Sequence, residues 1–573
     1  MCGIVGALSK ANPELDNKMS LALDALSHRG PDNSQFEMYL IPSMKRLLSL
    51  GHARLSIVDL TVAGNQPMHS MDGRFTIVFN GEIYNYKELR AELIREGCVF
   101  KTDSDTEVLL SAWSCWGKAC LPRLTGMFAI GVYDRRNQTL TCVRDAFGIK
   151  PFFYSAGRET FAFASELPAL LKLLPVKPLL NWQRAYDYLV HGVYDNGSDT
   201  FFGGVCQLPP GHWLEINIAT GELIRLERWW RPVITERNEL NFDDAAEIVK
   251  EKFLNSIRMH LRSDVPLGAA LSGGVDSSAV VCAMRHVAPD YPIHTFSYIA
   301  AGNNINEEKW VDLVNQHVAA DAHKVLVTPQ ELARDLDDMI CTQGEPFGSM
   351  SIYAQYRVYQ LAKESGITVT LDGQGADEML GGYVGFPGER IRSLLDEGNP
   401  SQAWDFLRHW ARWPGRSFAM GLKAALAECT NGVPHELMRM AAGLNKVPDW
   451  IDSRVAQDMG LAGRVKRFHS TEHANGRRMA AQMINMLTQH GLPGLLRHGD
   501  RNSMRFSVES RVPFLTLDQV EFALSLPEHY LVSQEGETKH VFRRAMQGIV
   551  PDEILLRKDK IGFEPPEKEW LIS

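Results

Sequence analysis

Apolar and polar positions follow two rhythms along this chain, and the change between them falls near its middle. In the first half, residues 127–133 (MFAIGVY) and 140–143 (LTCV) are short apolar stretches of strand type. In the second half, a helical repeat beginning near Asp243 (AAEIVKEKFLNSIRMHL) runs into residues 265–271 (VPLGAAL), short enough for a buried strand, and then into helix-forming residues 277–284 (SSAVVCAM). Residues 293–298 predict a second strand, 307–318 a helix and 367–371 a third strand. Strands alternating with helices predict a doubly wound parallel sheet, whose ligands sit beyond the carboxyl ends of its strands.

The junction at 271–278 (LSGGVDSS) is strand, glycine turn, helix. Gly273 and Gly274 allow a tight turn with exposed N–H groups, and the following helix directs its positive end at the same place, so the loop should hold a phosphate. It lacks the Gly-Lys-[Ser/Thr] ending of a Walker A motif and carries Asp276 instead, which implies a bridging Mg²⁺. Residues 372–378 (DGQGADE) end another strand on the same rim. Ser272, Gly273, Gly274, Asp276 and Ser277, with Leu271, Tyr298, Asp372 and Gly373, are the nucleotide-lining candidates, and Asp276 and Asp377 the metal-ligand candidates. A pentavalent phosphorus transition state also needs a cation, and Lys539 is the first choice.

At 573 residues the chain exceeds one core, and two domains are expected. A net charge of -9 argues against nonspecific attraction to nucleic acid or an anionic membrane. No apolar run approaches the roughly 20 residues that cross a bilayer, and MCGIVGALSK is wrongly flanked for a signal peptide, so a cytoplasmic protein is expected. Nine scattered cysteines without paired CxxC clusters fit reduced thiols.

Cys2 follows the initiator methionine, whose removal would free an α-amine of pKa about 7.7–8.0 beside a thiol of about 8.5, a matched pair for proton transfer. Four further motifs follow in order: residues 28–32 (HRGPD), 51–59 (GHARLSIVD), 79–85 (FNGEIYN) and 104–107 (SDTE). With Cys2-Gly3-Ile4-Val5-Gly6 they resemble the class II glutamine amidotransferase domain, which implies an N-terminal-nucleophile αββα sandwich hydrolysing glutamine to glutamate and ammonia. The resemblance makes Cys2 the nucleophile, Asn80 and the Gly81 N–H the oxyanion hole, and Arg54 the partner of the glutamine α-carboxylate. Glu82 and Asp105 would then hold its α-ammonium, with Leu55, Ser56, Ile57 and Val58 completing the pocket. The octet, residues 496–514 and Lys539 resemble the synthetase domain of glutamine-dependent asparagine synthetase, which uses ATP and Mg²⁺. The expected division is a glutaminase domain at 1–212, a linker at 213–240 and an adenylating domain at 241–573.

Three departures from that family bear on the acceptor. Gln374 stands where the family's SGEG loop has a glutamate, and an amide cannot act as a base. Thr516 follows Pro-Phe-Leu where an aspartate is usual. The helical insertion between Tyr383 and His490, with Trp404, Trp410, Trp413 and Trp450, matches no motif and is placed as core and cover for the acceptor pocket. The reading that results is an ATP-dependent amidotransferase acting on small molecules, with aspartate as default acceptor; amidation of a sugar acid, a peptide or a secondary-metabolite precursor is the close alternative. A glutamine- or nucleotide-sensing relative without catalysis is the reading from another class. Relatives are commonly dimers, which makes a homodimer an expectation of the resemblance alone.

Overall fold

The computed structural model describes residues 2–10, 14–41, 44–195, 197–235, 239–300, 307–429, 448–461 and 476–558. Its first part is two six-stranded antiparallel sheets lying face to face. One runs, in spatial order, Cys206–Gln207, Phe153–Ala156, Phe161–Ala164, Gly3–Lys10, Arg46–Arg54, Asn33–Ile41; the other runs Leu223–Arg228, His212–Asn217, Thr139–Arg144, Gly126–Asp134, Phe75–Ile83, Met68–His69. Between them lies an apolar layer built from alternate residues of both sheets, including Ile4, Leu8, Leu48, Leu50, Val78, Ala129, Leu214 and Ile216. Helices Glu14–Asp24 and Leu167–Leu173 cover the outer face of the first sheet, and helix Asp105–Trp116 that of the second. This is the αββα sandwich.

The first domain extends further than the pattern of residues indicated. The stretch expected to begin a linker at 213 forms strands His212–Asn217 and Leu223–Arg228, which close one edge of the second sheet, so connection to the next domain starts only after Arg228. The inner strand is covered on both faces, Trp213 packing in the outer cluster under helix Asp105–Trp116 and Leu214 in the layer between the sheets, while the edge strand, Leu223–Arg228, is exposed throughout.

In the second domain, helix Phe242–His260 starts at Asn241, whose side chain accepts from the Asp244 N–H at 2.9 Å, and buries Ala245, Ala246, Val249, Phe253, Leu254 and Ile257 on one stripe. The sheet is parallel, in the order Asp321–Leu326, His294–Ile299, Leu267–Ala270, Val369–Leu371, Glu509–Arg511. Its first strand in sequence is central; the chain builds outward on one side, then returns to the other. The switch point therefore lies between Leu267–Ala270 and Val369–Leu371, the two strands that end in the octet and in the 372–378 loop.

The expected insertion is helical where described: Pro387–Asp396, Pro400–Trp410, Phe418–Cys429, Ser453–Asp458 and Arg478–Thr488. Trp410 is fully buried and donates to the Val384 carbonyl at 2.6 Å, whereas Trp404 and Trp450 are exposed. Residues 430–447 and 462–475 of that expectation lie outside the described residues.

Candidate functional site

Two cavities lie along this architecture, one in each domain's chemistry-bearing region. The first, of about 360 Å³, is lined by Cys2, Arg54, Leu55, Ile57, Val58, Gly81, Glu82 and Asp105, with Gly64, Gln66, Phe79, Ser104 and Thr106. Cys2 opens strand Gly3–Lys10 and is held at three points. Its N–H donates to Asn80 Oδ1 at 3.2 Å, its carbonyl accepts from Arg29 Nε at 3.0 Å, and its Sγ lies 3.8 Å from the Leu55 carbonyl. Burial pushes the thiol upward, which the positive charge of the N-terminus opposes. Met1 lies outside the described residues.

Asn80 sits on strand Phe75–Ile83 of the facing sheet, and its amide nitrogen is directed to Ser165 Oγ at 3.4 Å. Gly81 is required by proximity: a Cβ there would stand 2.0 Å from the Met127 carbonyl of the paired strand. Ser56 does not line the cavity; its N–H donates to Asp32 Oδ2 at 2.7 Å, which fixes the loop carrying Leu55, Ile57 and Val58. Arg54 has two tasks. Nη1 donates to the Thr61 carbonyl and to Asn65 Oδ1 at 2.6 and 2.8 Å and Nη2 to the Asp59 carbonyl, so three of its five donors shape the loop around it while the side chain also walls the cavity.

The acidic wall consists of Glu82 and Asp105. Asp105 opens helix Asp105–Trp116 behind an N-cap, Ser104, that accepts from the Thr106 N–H, and its Oδ2 accepts from the Ile83 N–H at 2.9 Å. Burial, then the charge of Glu509, pushes Asp105 up to about 6. Burial and neighbouring Asp105 raise Glu82 further, and its Oε1 is buried with no hydrogen-bond partner. Two desolvated carboxylates on one wall suit a cationic ligand beside Arg511, whose Nη2 lies 3.7 Å from Glu82 Oε2.

The second centre lies at the switch point. Gly273 adopts φ +76°, and a Cβ there would approach Trp310 Cβ to 2.8 Å; its carbonyl accepts from Arg557 Nη1 at 2.7 Å. Ser272 Oγ and Ser277 Oγ lie 3.1 Å apart across the turn, and helix Val275–Val287 begins at Gly274. Gly373 packs on this loop, where a Cβ would sit 3.0 Å from the Ser277 N. Lys539 Nζ lies 2.6 and 2.5 Å from the two oxygens of Asp276 and 2.8 Å from Asp377 Oδ1. The three residues expected to handle phosphate therefore meet, and the ammonium stands between the two acids. Burial would discharge Lys539, but the two carboxylates override it and raise its pKa. The donor set, two hard carboxylate groups on adjacent strand ends, suits Mg²⁺, which is bound through one or two carboxylates together with substrate phosphates. Gly382 makes the trio compact: a Cβ there would fall 1.7 Å from Asp377 Oδ1.

Leu271 is fully buried, its N–H donating to the Phe296 carbonyl at 2.9 Å, and Tyr298 is half-buried with burial pushing its hydroxyl up to about 12. Asp372 and Gln374 line the second cavity, about 280 Å³, with Ile149 and Lys150 of the first domain and Leu495, Leu496, Gly499, Asp500, Ser510 and Val512. Asp372 is raised by burial to about 6 and accepts from the Tyr359 hydroxyl at 3.3 Å. Thr516 caps helix Leu517–Ser525, its Oγ1 accepting from the Gln519 N–H, a structural use for the residue that departs from the family pattern.

Between the cavities runs a buried polar seam that motif reading missed. Arg29, fully buried, reaches the Cys2 carbonyl, Glu166 Oε1 at 2.7 Å and Asp500 Oδ2 at 2.8 Å. Burial resists ionisation of Glu166, yet His28 and Arg29 hold it down at about 2. Lys150 Nζ lies 3.4 Å from Asp500, and Arg511 Nη2 lies 3.7 Å from Glu82 while its Nε donates to Glu509 at 2.6 Å.

The family profile described as glutamine amidotransferase domain matches residues 1–230, and the one described as asparagine synthase matches residues 248–573. Asparagine synthetase (glutamine-hydrolyzing) 1 of Bacillus subtilis (strain 168) is 29% identical over 588 residues, covering 100% of this chain and 88% of that protein. Asparagine synthetase (glutamine-hydrolyzing) 2 of the same organism is 33% identical over 406 residues, covering 67% and 52%. A protein of Gibberella zeae named amidase chry2 is 26% identical over 604 residues, covering 96% and 85%.

Proposed function

The chain belongs to the asparagine synthase family and is a glutamine-dependent ligase of that type, within which we propose that it adenylates a carboxylate with ATP and converts it to an amide, aspartate being the default acceptor. One observation carries the proposal: Lys539 joined to Asp276 and Asp377 at the switch point, in the same chain as a Cys2 cavity. Cys2 Sγ attacks the glutamine side-chain amide, passing its proton to its own α-amine once Met1 is removed. The Gly81 N–H and the Asn80 amide stabilise the oxyanion, the amide turning from Ser165 to do so. Arg54 spends its two remaining donors on the α-carboxylate, and Glu82 with Asp105 receives the α-ammonium. Ammonia leaves, and water releases glutamate from the thioester.

In the second domain the glycine turn and helix start cradle the ATP phosphates, and Lys539 stabilises charge building on the α-phosphate as the acceptor carboxylate attacks and pyrophosphate departs. Mg²⁺ bound by Asp276 and Asp377 would neutralise the departing pyrophosphate. Ammonia then displaces AMP from the acyl adenylate. Asp372 stands beside Gln374 in the acceptor cavity and supplies the carboxylate that Gln374 does not. Ammonia held inside the protein escapes the protonation it meets in bulk water, and Arg29, which touches both the Cys2 carbonyl and Asp500, bridges a residue lining each cavity.

The reading is tested by pyrophosphate release with ATP, Mg²⁺ and glutamine, with and without aspartate, together with mass spectrometry of the product. Asparagine formed in step with pyrophosphate establishes aspartate. Glutamate release without aspartate-dependent pyrophosphate rejects it and directs the search to sugar acids and peptides, the alternative favoured by Gln374 and by a relative named as an amidase.

The acidic wall also sets a pH dependence. A carboxylate raised to about 6 is ionised above that pH and protonated below it, and only the ionised form pairs with an α-ammonium. Glutaminase kcat/KM is therefore expected to fall as pH drops through about 6, approaching tenfold per unit below it. Asp105→Asn should weaken glutamine binding at neutral pH and flatten this limb. A glutaminase profile level between pH 5 and 7, roughly one unit either side of the wall's titration, would remove Asp105 from the glutamine site.

A further inference from the structure

Three side chains of metal-ligand type converge at the amino end of the parallel sheet, opposite the rim that carries Asp276 and Asp377. Register brings them together. Strands His294–Ile299 and Asp321–Leu326 pair with His294 directly across from Asp321, and the two-residue period of a strand returns His323 to the face of Asp321. His294 Nδ1 lies 3.2 Å from Asp321 Oδ2 and 3.4 Å from His323 Nε2, and His323 Nε2 lies 3.5 Å from Asp321 Oδ2.

Those edges form a nearly equilateral triangle, and its size is diagnostic. Ligands about 2.0–2.1 Å from a tetrahedral cation stand about 3.3–3.4 Å from one another. Octahedral Mg²⁺ would bring neighbours to about 2.9 Å. Imidazole nitrogens also favour a borderline transition metal over Mg²⁺. A cation would satisfy the lone pairs of both imidazole nitrogens and of the carboxylate at once.

The surroundings keep the group in place without competing for it. Lys324, pointing to the opposite face, is engaged by Glu308 and Asp312 at 2.8 and 2.7 Å. Among the described residues the ionic partners of Asp321 are the two imidazoles alone. The His323 ring stacks on Phe296 at 4.9 Å and its Nδ1 lies 3.4 Å from Ser365 Oγ, which turns Nε2 toward the triangle, as an outer hydrogen bond commonly does for a metal-bound histidine. The histidine side chains are about one-quarter exposed and Asp321 two-thirds exposed, so a fourth position opens to water.

We propose that His294, Asp321 and His323 bind one Zn²⁺, with water as fourth ligand, and that the ion ties the edge strand Asp321–Leu326 to its neighbour. The site serves stability and not the ligase reaction, because it lies at the opposite end of the strands from the nucleotide crevice.

The test uses full-length protein free of any polyhistidine tag, stripped with chelator and titrated with Co²⁺ and then Zn²⁺. One equivalent of Co²⁺ is expected to give the strong visible absorption of a tetrahedral site without thiolate charge transfer, to be displaced by Zn²⁺, and to raise the melting temperature. His294→Gln and His323→Gln should each lose stoichiometric uptake while glutaminase activity is unchanged, and Asp321→Asn should bind at least tenfold more weakly. Cys98 and Cys115, whose sulfurs lie 3.4 Å apart, are the competing ligands, so Cys98→Ser/Cys115→Ser should bind as the parent does. Absence of uptake at one equivalent, uptake that survives both histidine variants, or binding that disappears with the two cysteines overturns the proposal.

Discussion

Cys2→Ala is expected to lower glutamine-dependent amide formation by at least about 10³-fold while synthesis from added ammonium salt stays within about twofold, the separation produced when a nucleophile is removed from one of two centres. The substitution is sterically mild. Cys2 is held through its backbone, by Asn80 Oδ1 on the N–H and by Arg29 on the carbonyl, and its sulfur makes one weak contact with the Leu55 carbonyl. Alanine keeps both backbone anchors, including the Arg29 link to Asp500, so the second domain is undisturbed. The thiol itself is raised by burial, and at neutral pH it reacts only if a base takes its proton. A free α-amine has a pKa of about 7.7–8.0 and is attached to the same residue. The N-terminal mass of the purified protein should accordingly lack Met1, and variants that retain it should match Cys2→Ala. Assays of glutamate and pyrophosphate, run in parallel with glutamine or ammonium, decide the matter: equal loss of both activities would overturn the assignment of glutamine hydrolysis to Cys2.

What could be read from the chain was whatever is encoded locally. The octet is legible because an apolar run, two glycines and a helix-forming stretch each restrict the backbone independently, and residues 267–287 fold as those restrictions require. The Ser104–Glu107 motif serves twice, Ser104 capping the helix and Asp105 forming part of the acidic wall. The fifth parallel strand was not legible. Glu509-Ser510-Arg511 has no apolar run to mark a strand, yet all three are buried, because Arg511 neutralises Glu509 and donates to the carbonyls of His260 and Arg262 at 2.6 and 2.7 Å. Edge strand Asp321–Leu326 is half polar and escaped for the opposite reason: half of its pattern faces water. The seam was hidden by distance. Arg29 and Asp500 are 471 residues apart in sequence, and although each stands in a recognisable motif, nothing local shows that they pair. Gln374 and its neighbour Asp372 are both plain in the sequence, but that they line one cavity is shown only by the fold.

Lys539→Met is expected to reduce ATP-dependent pyrophosphate release by about 10²–10³-fold with glutaminase activity retained, the loss typical of removing one preorganised stabiliser of developing charge. Lys539 is 4% exposed and adopts φ +55°, a left-handed conformation unusual for a side chain of this size and maintained here by its ion pairs with Asp276 and Asp377. Its removal leaves two largely buried carboxylates facing each other, and breaking a buried pair in this way costs about 3–5 kcal/mol. Lost activity could then reflect damaged structure. The double variant Lys539→Met/Asp276→Asn, which removes one negative charge along with the positive one, reads the stability part by itself, because Asp276 is also a proposed Mg²⁺ ligand. Its melting temperature should recover most of what Lys539→Met loses, while pyrophosphate release stays low, since neither a neutral amide nor methionine offers a cation to the α-phosphate. Recovery of both stability and pyrophosphate release in the double variant would reduce Lys539 to a structural counter-ion, and the transition-state role would pass to another cation near the loop. Arg543 is the candidate then: it is half-buried, its charge interacts with Asp276, and desolvation holds its pKa below the usual arginine value.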